Sequence, residues 1–258
     1  MPGDRASLPN RSTCSNKRLA ARLLSYRSSF IKIQICSTSA SGWTQQVSAR
    51  AHTKMNNQLP VIYIARHGET GWTVSGQDTG LTDLPLTPQG ERNARALAEQ
   101  LDGLTFSKVF TSPLQRARRT CELAGFGSVA EVDSDLVEWN YGEYEGRCTV
   151  EIRSECPDWQ LFRDGCPGGE SPAQVLSRAE RVLSRIKTVK GDVLIFSSGH
   201  FIRVLAAGWI GLEPSVHSMS FLLSTASLSA VGYEHDLSRP VIRLWNDTHH
   251  VRTQEGSA

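Results

Sequence analysis

The fold is decided by residues 61–70, which read Val-Ile-Tyr-Ile-Ala-Arg-His-Gly-Glu-Thr. Five mainly apolar residues end abruptly at Arg66-His67-Gly68, without alternating with polar ones. This pattern is typical of a strand that is buried on both faces of a parallel sheet, and such sheets bind ligands at the carboxyl ends of their strands. His67 is therefore either a polar turn residue or part of a functional site, and the rest of the chain has to decide between these interpretations.

Charge is divided unevenly along a chain of otherwise ordinary globular composition. Residues 1–54 contain nine lysines or arginines and one acid, a net charge of +8. Because the 258 residues together carry +2, residues 55–258 carry −6. A mildly acidic body does not indicate a nucleic-acid partner, so an anion would need a local basic pocket. No apolar run reaches the length of a membrane span, and we expect no membrane partner.

The first 54 residues are rich in serine, arginine and alanine, which is typical of an organellar transit peptide. The alternative is that the chain starts at Met55 and that the upstream residues are a gene-model extension. Either interpretation predicts a disordered basic tail at 1–54, a folded domain at 55–248 and a flexible tail at 249–258. The six cysteines lack zinc-ligand spacing and suit a reducing compartment. The expected location is cytoplasmic, or mitochondrial or plastid if the tail is a transit peptide.

Strand and helix patterns alternate through the body, which predicts an α/β fold. Residues 71–85 are expected to form a loop without regular structure that wraps a ligand at the end of the first strand. Thr87-Pro88 starts a helix that ends near Gly103, residues 108–111 form the second strand, and Ser112-Pro113 starts the next helix. A short strand is expected near residues 129–132, and a short helix or turn at 159–165.

The second half repeats this theme. Ser171 and Gln174 predict a capped helix that continues with strict helical period until Gly191. Residues 192–198 then form a continuous apolar strand that ends at Gly199-His200, and a helix follows over residues 201–211. Residues 227–233 and 241–245 indicate a pair of antiparallel or edge strands.

Two groups of charged residues suggest chemistry at the strand ends. Arg116, Arg118 and Arg119 lie in the first turns of a predicted helix, where the macrodipole favours anions. We expect Arg116, which is nearest the strand end, to contact an anionic ligand, and the other two to be solvated. Among aromatic residues and glycines, Glu138, Glu143 and Glu145 are candidates for a partly desolvated general acid, and the residues alone do not separate them.

The order and spacing of five motifs resemble the histidine phosphatase superfamily, also called the phosphoglycerate mutase-like family, over residues 60–246. The motifs are Arg66-His67-Gly68-Glu69-Thr70, Ser112-Pro113-Leu114-Gln115-Arg116-Ala117, Glu138 before Tyr141-Gly142 and Glu145-Gly146, Gly168-Gly169-Glu170-Ser171, and the late strand ending at Gly199. The segments 72–87 and 163–166 are similar to small sugar-phosphate phosphatases of the sedoheptulose bisphosphatase type. The resemblance implies a three-layer αβα sandwich around a mostly parallel sheet.

The same resemblance implies roles for individual residues in a hydrolase. His67 is the nucleophile that becomes a phosphohistidine, Arg66 and Arg116 clamp the phosphoryl oxygens, and Glu138 is the proton donor. The substrate-binding residues it implies are Thr79, Tyr141, Arg163, Ser198, Gly199 and His200. The partner is a small phosphorylated substrate, with no metal and no cofactor, since phosphoryl transfer to a histidine rests on positioning and charge stabilisation. Nothing indicates an oligomeric state.

One position departs from the family pattern. The family carries a second histidine immediately before the glycine of the late strand end, and here this position is Ser198. Loss of such a donor typically lowers the rate by about a hundredfold to a thousandfold. The chain is thus either a phosphomonoesterase, impaired by Ser198 unless His200 compensates, or a non-catalytic member that binds phosphorylated ligands. A mutase is disfavoured by the short carboxy terminus, and a Rossmann enzyme by the lack of a Gly-x-Gly-x-x-Gly motif.

Overall fold

A six-stranded mixed sheet forms the centre of the computed structural model, which describes residues 59–252. Its strands are β1 (Ile62–Arg66), β2 (Lys108–Thr111), β3 (Ala130–Val132), β4 (Val193–Ser197), β5 (Leu228–Tyr233) and β6 (Pro240–Asp247). They are ordered β3-β2-β4-β1-β5-β6. The first four strands of this order are parallel, and β5 and β6 are antiparallel to their neighbours. This arrangement confirms the mostly parallel sheet.

Helices cover both faces of the sheet, so the three-layer prediction is also confirmed. The helices are α1 (Gly71–Ser75), α2 (Pro88–Leu101), α3 (Gln115–Leu123), α4 (Thr149–Glu155), α5 (Leu161–Asp164), α6 (Pro172–Ile186), α7 (Gly199–Trp209), α8 (Pro214–His217) and α9 (His249–Arg252). In β1, Ile62 and Ile64 pack in the core with α6 and α7. The alternate residue Ala65 packs in the other core, with α2 and α3. Both faces of this strand pack against apolar residues, which explains why its sequence is continuously apolar.

Two predicted helix starts have the expected caps. The Thr87 hydroxyl accepts a hydrogen bond from the Gly90 amide at the start of α2. At the start of α6, Ser171 and Gln174 form the reciprocal bonds of a capping box. Both helices place proline in the first helical position, where no amide bond is lost.

Three predictions about local structure were wrong. Residues 71–85 are not wholly irregular, because Thr70 caps the short helix α1. Ser112-Pro113 does not start α3, which begins at Gln115, whose amide donates to Asp83 Oδ1 at 2.7 Å. The cap thus comes from a distant loop, which local sequence does not reveal. Helix α7 begins at Gly199, two residues before the expected start.

The predicted tails fall largely outside the described residues. Residues 1–54 and 253–258 are among those for which we describe no structure. The first part of the expected tail at 249–258 is α9, in which the buried His250 side chain is hydrogen-bonded to the Ala226 carbonyl at 2.9 Å. Across residues 59–252, no helix combines the length and the apolar character needed to cross a bilayer.

Candidate active site

The carboxyl ends of three parallel strands meet at one edge of the sheet. Arg66 pairs in register with Ser197 across β1 and β4, and the His67 amide donates to the Ser197 carbonyl at 3.0 Å. The Ser112 amide donates to the Phe196 carbonyl at 3.0 Å, which brings the end of β2 to the same edge. Residues that follow these strands are therefore neighbours, although they lie far apart in sequence.

His67 is buried and oriented by the residue that follows it. Its Nδ1 lies 2.7 Å from the Gly68 carbonyl oxygen, which can only accept a hydrogen bond, so Nδ1 carries the proton. This tautomer leaves the lone pair of Nε2 available for attack. Burial, followed by the positive charges of Arg116 and Arg66, holds the pKa of His67 well below its ordinary value. The imidazole is therefore neutral near pH 7, as a nucleophile must be.

Arg116 enters the site from the first turn of α3 and is fully buried. Its terminal nitrogens donate to the carbonyls of Gly80 at 2.7 Å, Thr82 at 3.0 Å and Thr79 at 3.2 Å. The segment 79–82 therefore fixes the guanidinium in place. Its Nε–H is buried and has no hydrogen-bond partner within residues 59–252.

Arg66 presents a second guanidinium beside His67. One terminal nitrogen donates to the Leu223 carbonyl, and Nε is buried without a partner in the part of the chain that the structure describes. Gly199 lies directly against this group, because a Cβ there would come within 3.1 Å of the guanidinium carbon. Two buried N–H donors without partners, both on groups that act electrostatically on His67, suit a bound anion.

Glu138 lies at the amino terminus of α7. Its carboxylate accepts hydrogen bonds from the amides of Phe201 at 2.8 Å, His200 at 2.9 Å and Trp139 at 2.9 Å. The helix macrodipole favours a negative charge at this place. Glu138 also contributes to the electrostatics of Arg66, Arg116 and Tyr141. The structure thus brings Glu138, rather than Glu143 or Glu145, together with the two arginines and the end of β4.

Sequence reasoning missed the group that supports Glu138. The buried Arg178 of α6 donates to the carbonyls of Val137 at 2.8 Å and Glu138 at 3.2 Å. The same guanidinium forms a two-bond ion pair with Glu170, at 2.9 Å for each bond. An arginine on the apolar stripe of α6 is the signal that could have identified it, since a buried charge requires a partner.

Tyr141 and His200 form a pair next to these residues. The buried Tyr141 hydroxyl is hydrogen-bonded to His200 Nδ1, and the two rings meet edge to face. Burial raises the pKa of Tyr141, with a further contribution from Glu138. Burial lowers the pKa of His200 to about 4, so this imidazole is neutral near pH 7. Because the Nδ1 of His200 is hydrogen-bonded to Tyr141, this nitrogen does not replace the imidazole donor that the family pattern has at position 198.

Ser198 is the residue immediately before α7. Its side chain is fully buried, its Oγ has no partner among the residues described, and it does not cap the helix. Glu138 accepts from the first free amides of α7 instead. A buried hydroxyl without a partner is a third polar group at this strand end that a bound anion could satisfy.

The remaining two predicted substrate-binding residues differ in position. Thr79 is buried and contacts Arg116 through its carbonyl, while its hydroxyl donates to Gln77 at 3.3 Å. Arg163 is half exposed and pairs with Asp164 at 2.7 Å. The structure does not bring Arg163 into the group around His67, because α5 directs it toward its own neighbour in sequence.

Glu145, another of the three candidate acids, fixes the loop that holds Arg116. Its carboxylate accepts from the amides of Gly80 at 2.9 Å and Thr82 at 3.1 Å. Asp78, in the same loop, was not singled out in the sequence, because a polar loop residue carries no local signal. Burial and the charges of Glu138 and Glu145 raise the pKa of Asp78 to about 7. Residues 59–252 contain no cluster of three His, Cys, Asp or Glu residues suited to a metal ion.

The comparison with protein families agrees with this geometry. Residues 62–248 match the model of the histidine phosphatase superfamily, branch 1. The α/β fold, the family match and relatives named as phosphatases therefore define a phosphatase of the histidine phosphatase type. The chain belongs to the histidine phosphatase superfamily.

Relatives and solved structures give the same assignment. An acid phosphatase of Mycobacterium tuberculosis is 40% identical over 178 residues, covering 67% of this chain and 87% of the relative. Sedoheptulose 1,7-bisphosphatase of Saccharomyces cerevisiae is 38% identical over 192 residues, covering 61% of this chain and 70% of the relative. The solved structure of an open reading frame product of Mycobacterium tuberculosis has a TM-score of 0.68 at 37% identity, covering 72% of this chain and 97% of that one.

Proposed function

We propose that the protein hydrolyses phosphomonoesters of small metabolites, in particular sugar phosphates, through a phosphohistidine on His67. The observation that carries this proposal is the combination of a neutral buried imidazole with two buried arginine Nε–H groups that lack partners. A phosphoryl group between them satisfies both donors and lies against the free Nε2 of His67. Such preorganised charge is the main source of catalysis in phosphoryl transfer.

In the first step the Nε2 lone pair of His67 attacks phosphorus, and the bond between phosphorus and the ester oxygen breaks. Arg66 and Arg116 stabilise the charge on the phosphoryl oxygens. Glu138, in its protonated form, transfers a proton to the leaving alkoxide, which departs as the alcohol. The two amides of α7 that contact Glu138 keep its carboxyl group in a fixed position during this transfer.

In the second step the ionised Glu138 accepts a proton from water. The resulting hydroxide attacks phosphorus, and the bond between phosphorus and Nε2 breaks, which regenerates neutral His67 and releases inorganic phosphate. Splitting one displacement into two is the general advantage of covalent catalysis.

Small sugar phosphates are the favoured substrate class. A relative that is 38% identical is named sedoheptulose 1,7-bisphosphatase. A solved structure of 26% identity and TM-score 0.65 is a phosphoserine phosphatase of Entamoeba histolytica in complex with 3-phosphoglyceric acid. These names support small phosphorylated metabolites and leave the choice among them to assay.

The test is turnover of p-nitrophenyl phosphate and a panel of sugar mono- and bisphosphates by wild type and by His67→Ala. We expect phosphate release by wild type and loss of at least about a thousandfold in the variant, because the nucleophile is removed. His235→Ala is the matched control, since this histidine is exposed. Wild-type activity that does not depend on His67 would falsify the proposal.

A second candidate, a non-catalytic phosphate-binding protein, rests on Ser198. Its buried hydroxyl replaces the imidazole that the family pattern implies, while the two arginines are retained. This candidate predicts that inorganic phosphate raises the Tm of wild type although no ester is turned over. Turnover that depends on His67 excludes it.

A further inference from the structure

A cavity of about 230 Å³ lies next to the proposed phosphoryl site. His200, which is bonded to Tyr141, belongs to its lining. The charged residues in the lining are Asp78, Arg153 and Arg203, and the others include Phe162, Trp159 and Met219. The cavity is therefore placed to hold the part of a substrate that lies beyond the scissile phosphate.

Backbone hydrogen bonds fix Asp78 in the lining of this cavity. Its amide donates to the Arg147 carbonyl at 2.9 Å, and its carbonyl accepts from the Gly146 amide at 2.9 Å. The backbone is thus fixed on both sides, which limits where the carboxyl group can go. Its Oδ2 is buried and makes no hydrogen bond to any residue described by the structure. A buried carboxyl oxygen without a partner requires an explanation, and a ligand group in the cavity is one.

Two arginines in the lining carry positive charge. Arg203 of α7 donates to the carbonyls of Ser218 and Met219, each at 2.8 Å, and stacks on the Phe162 ring at 4.8 Å. Arg153 of α4 donates to the Trp159 carbonyl at 3.3 Å. The cavity therefore offers two cations and one carboxyl group to a substrate.

We propose that Asp78 is a specificity-determining residue of this cavity, which makes the acceptance of a second anionic group on the substrate depend on pH. This inference rests on the proposed function. The substrate class is a phosphomonoester whose alcohol carries hydroxyl groups and a further carboxylate or phosphate. Arg203 and Arg153 attract the second anion, and Asp78 either donates a hydrogen bond to it or repels it.

The direction of the pH effect follows from the groups around Asp78. Burial, then Glu138 and Glu145, raise the pKa of Asp78 to about 7. The other titratable groups that interact with it or line the cavity are Tyr141, Cys166, His200, Arg153 and Arg203. Tyr141, whose pKa is raised, and His200, whose pKa is about 4, both stay neutral between pH 6 and 8. The pKa of the Cys166 thiol is about 12, so this group stays neutral as well. Within this set Asp78 is thus the group whose charge changes most between pH 6 and pH 8, as it passes from mainly neutral to mainly negative.

The experiment compares two esters that differ in one group. 6-Phosphogluconate carries a carboxylate that stays ionised from pH 6 to 8, and glucitol 6-phosphate carries a hydroxyl in its place. For wild type we expect the KM for 6-phosphogluconate divided by the KM for glucitol 6-phosphate to rise about tenfold from pH 6 to pH 8, because the negative charge gained by Asp78 repels the carboxylate. In Asp78→Asn this ratio stays constant, since the amide does not titrate. Asp158→Asn, an exposed acid near the cavity, is the control and keeps the wild-type rise.

The outcomes separate this inference from the function on which it rests. If neither these two esters nor p-nitrophenyl phosphate is turned over in a His67-dependent way at any pH, the proposed function fails, whereas turnover of p-nitrophenyl phosphate without turnover of either ester contradicts the substrate class inferred for the cavity. If both are turned over and the KM ratio is flat in wild type, or rises equally in Asp78→Asn, the role of Asp78 is wrong. Asp78→Ser serves as a second non-titrating variant if Asp78→Asn does not fold, and the same constant ratio is expected of it.

Discussion

At the proposed phosphoryl site, Ser198 supplies one short donor where the family pattern has an imidazole. Its hydroxyl is buried and lacks a partner among the residues described. His200, two residues further on, is bonded to Tyr141 and lines the neighbouring cavity. The Nδ1 of His200 is therefore engaged by Tyr141, and we expect any loss of rate to originate at position 198.

We expect Ser198→His to raise kcat/KM for p-nitrophenyl phosphate by about a hundredfold to a thousandfold, because a positioned imidazole donates to a phosphoryl oxygen as charge develops. The measurement is steady-state turnover of wild type and variant at the same pH. Ser198→Ala is the matched control and is expected to stay within about tenfold of wild type, since a hydroxyl is a weak substitute for the imidazole.

The gain must also disappear in the double variant His67→Ala/Ser198→His, because it depends on the proposed nucleophile. An increase that survives removal of His67 would mean that the new histidine acts by another route. An unchanged kcat/KM in folded Ser198→His would show that Ser198 does not limit the rate.

At the scale of elements, α6 and α7 together position Glu138, the proposed general acid. Helix α7 supplies two amides to the Glu138 carboxylate, and α6 supplies Arg178, which binds the backbone of residues 135, 137 and 138. Glu170 neutralises Arg178 at 2.9 Å. The segment 135–138, which begins within the short 3-10 helix Ser134–Leu136, is thereby fixed between two helices, which limits how far Glu138 can move.

We expect Arg178→Met to lower the free energy of unfolding by about 3–5 kcal/mol, because it leaves Glu170 as a partly buried charge without its partner. The variant should also lower kcat more than it raises KM, since the Glu138 loop loses its support. Urea denaturation and steady-state kinetics measure the two effects.

Arg181→Met is the control for that substitution. Arg181 lies on the same helix and pairs with Asp135 at 2.6 Å, but its side chain is half exposed. Exposed ion pairs contribute about 0–1 kcal/mol, so this variant is expected to stay close to wild type in stability and kcat. Equal losses in both variants would contradict the assignment of Arg178 as a positioning residue.

At the scale of the whole molecule, buried titratable groups oppose one another in their effect on stability. The pKa of Asp78 is raised from 3.8 to about 7, so ionising it opposes folding increasingly across that interval. The pKa of His200 is lowered from 6.5 to about 4, so its contribution to stability is lost as pH falls through that range. His67 and His250 have lowered pKa values and act in the same direction as His200.

In Asp78→Asn the pH dependence of stability should therefore reflect mainly the buried histidines. At pH 8 the variant should be more stable than wild type by about 2 kcal/mol. This figure is smaller than the full rise of the Asp78 pKa implies, because the carboxyl group is partly exposed and its surroundings can relax. Near pH 4 the difference should fall below about 1 kcal/mol, because Asp78 is then protonated in the folded state and only partly ionised in the unfolded state, where its pKa is 3.8. Thermal denaturation from pH 4 to 8 measures it, and a difference that is independent of pH would contradict the prediction.

Much of the fold could be predicted because its signals are local. Thr87-Pro88 and Ser171-Gln174 start helices through bonds within one turn, and the continuous apolar strands report burial on both faces of a parallel sheet. The start of α3 could not be predicted, since its cap is Asp83, more than thirty residues upstream. Helix α1 was missed because its cap, Thr70, precedes a polar segment without an apolar stripe.

By itself the sequence determined the α/β class and the order of the strand-end motifs, because these follow from strand and helix patterns. The residue pattern also singled out Arg116, while the resemblance to the family added His67 as the nucleophile and Arg66 as its partner. Only the tertiary structure decided that two amides of α7 bind the Glu138 carboxylate, that Arg178 supports it, that Arg163 lies apart, and that Asp78 lines a cavity. These facts depend on contacts between residues that are distant in sequence, such as the Glu138 carboxylate and the amides of His200 and Phe201. Burial and the charges of such distant neighbours then set the pKa values of His67 and Asp78, which no local pattern encodes.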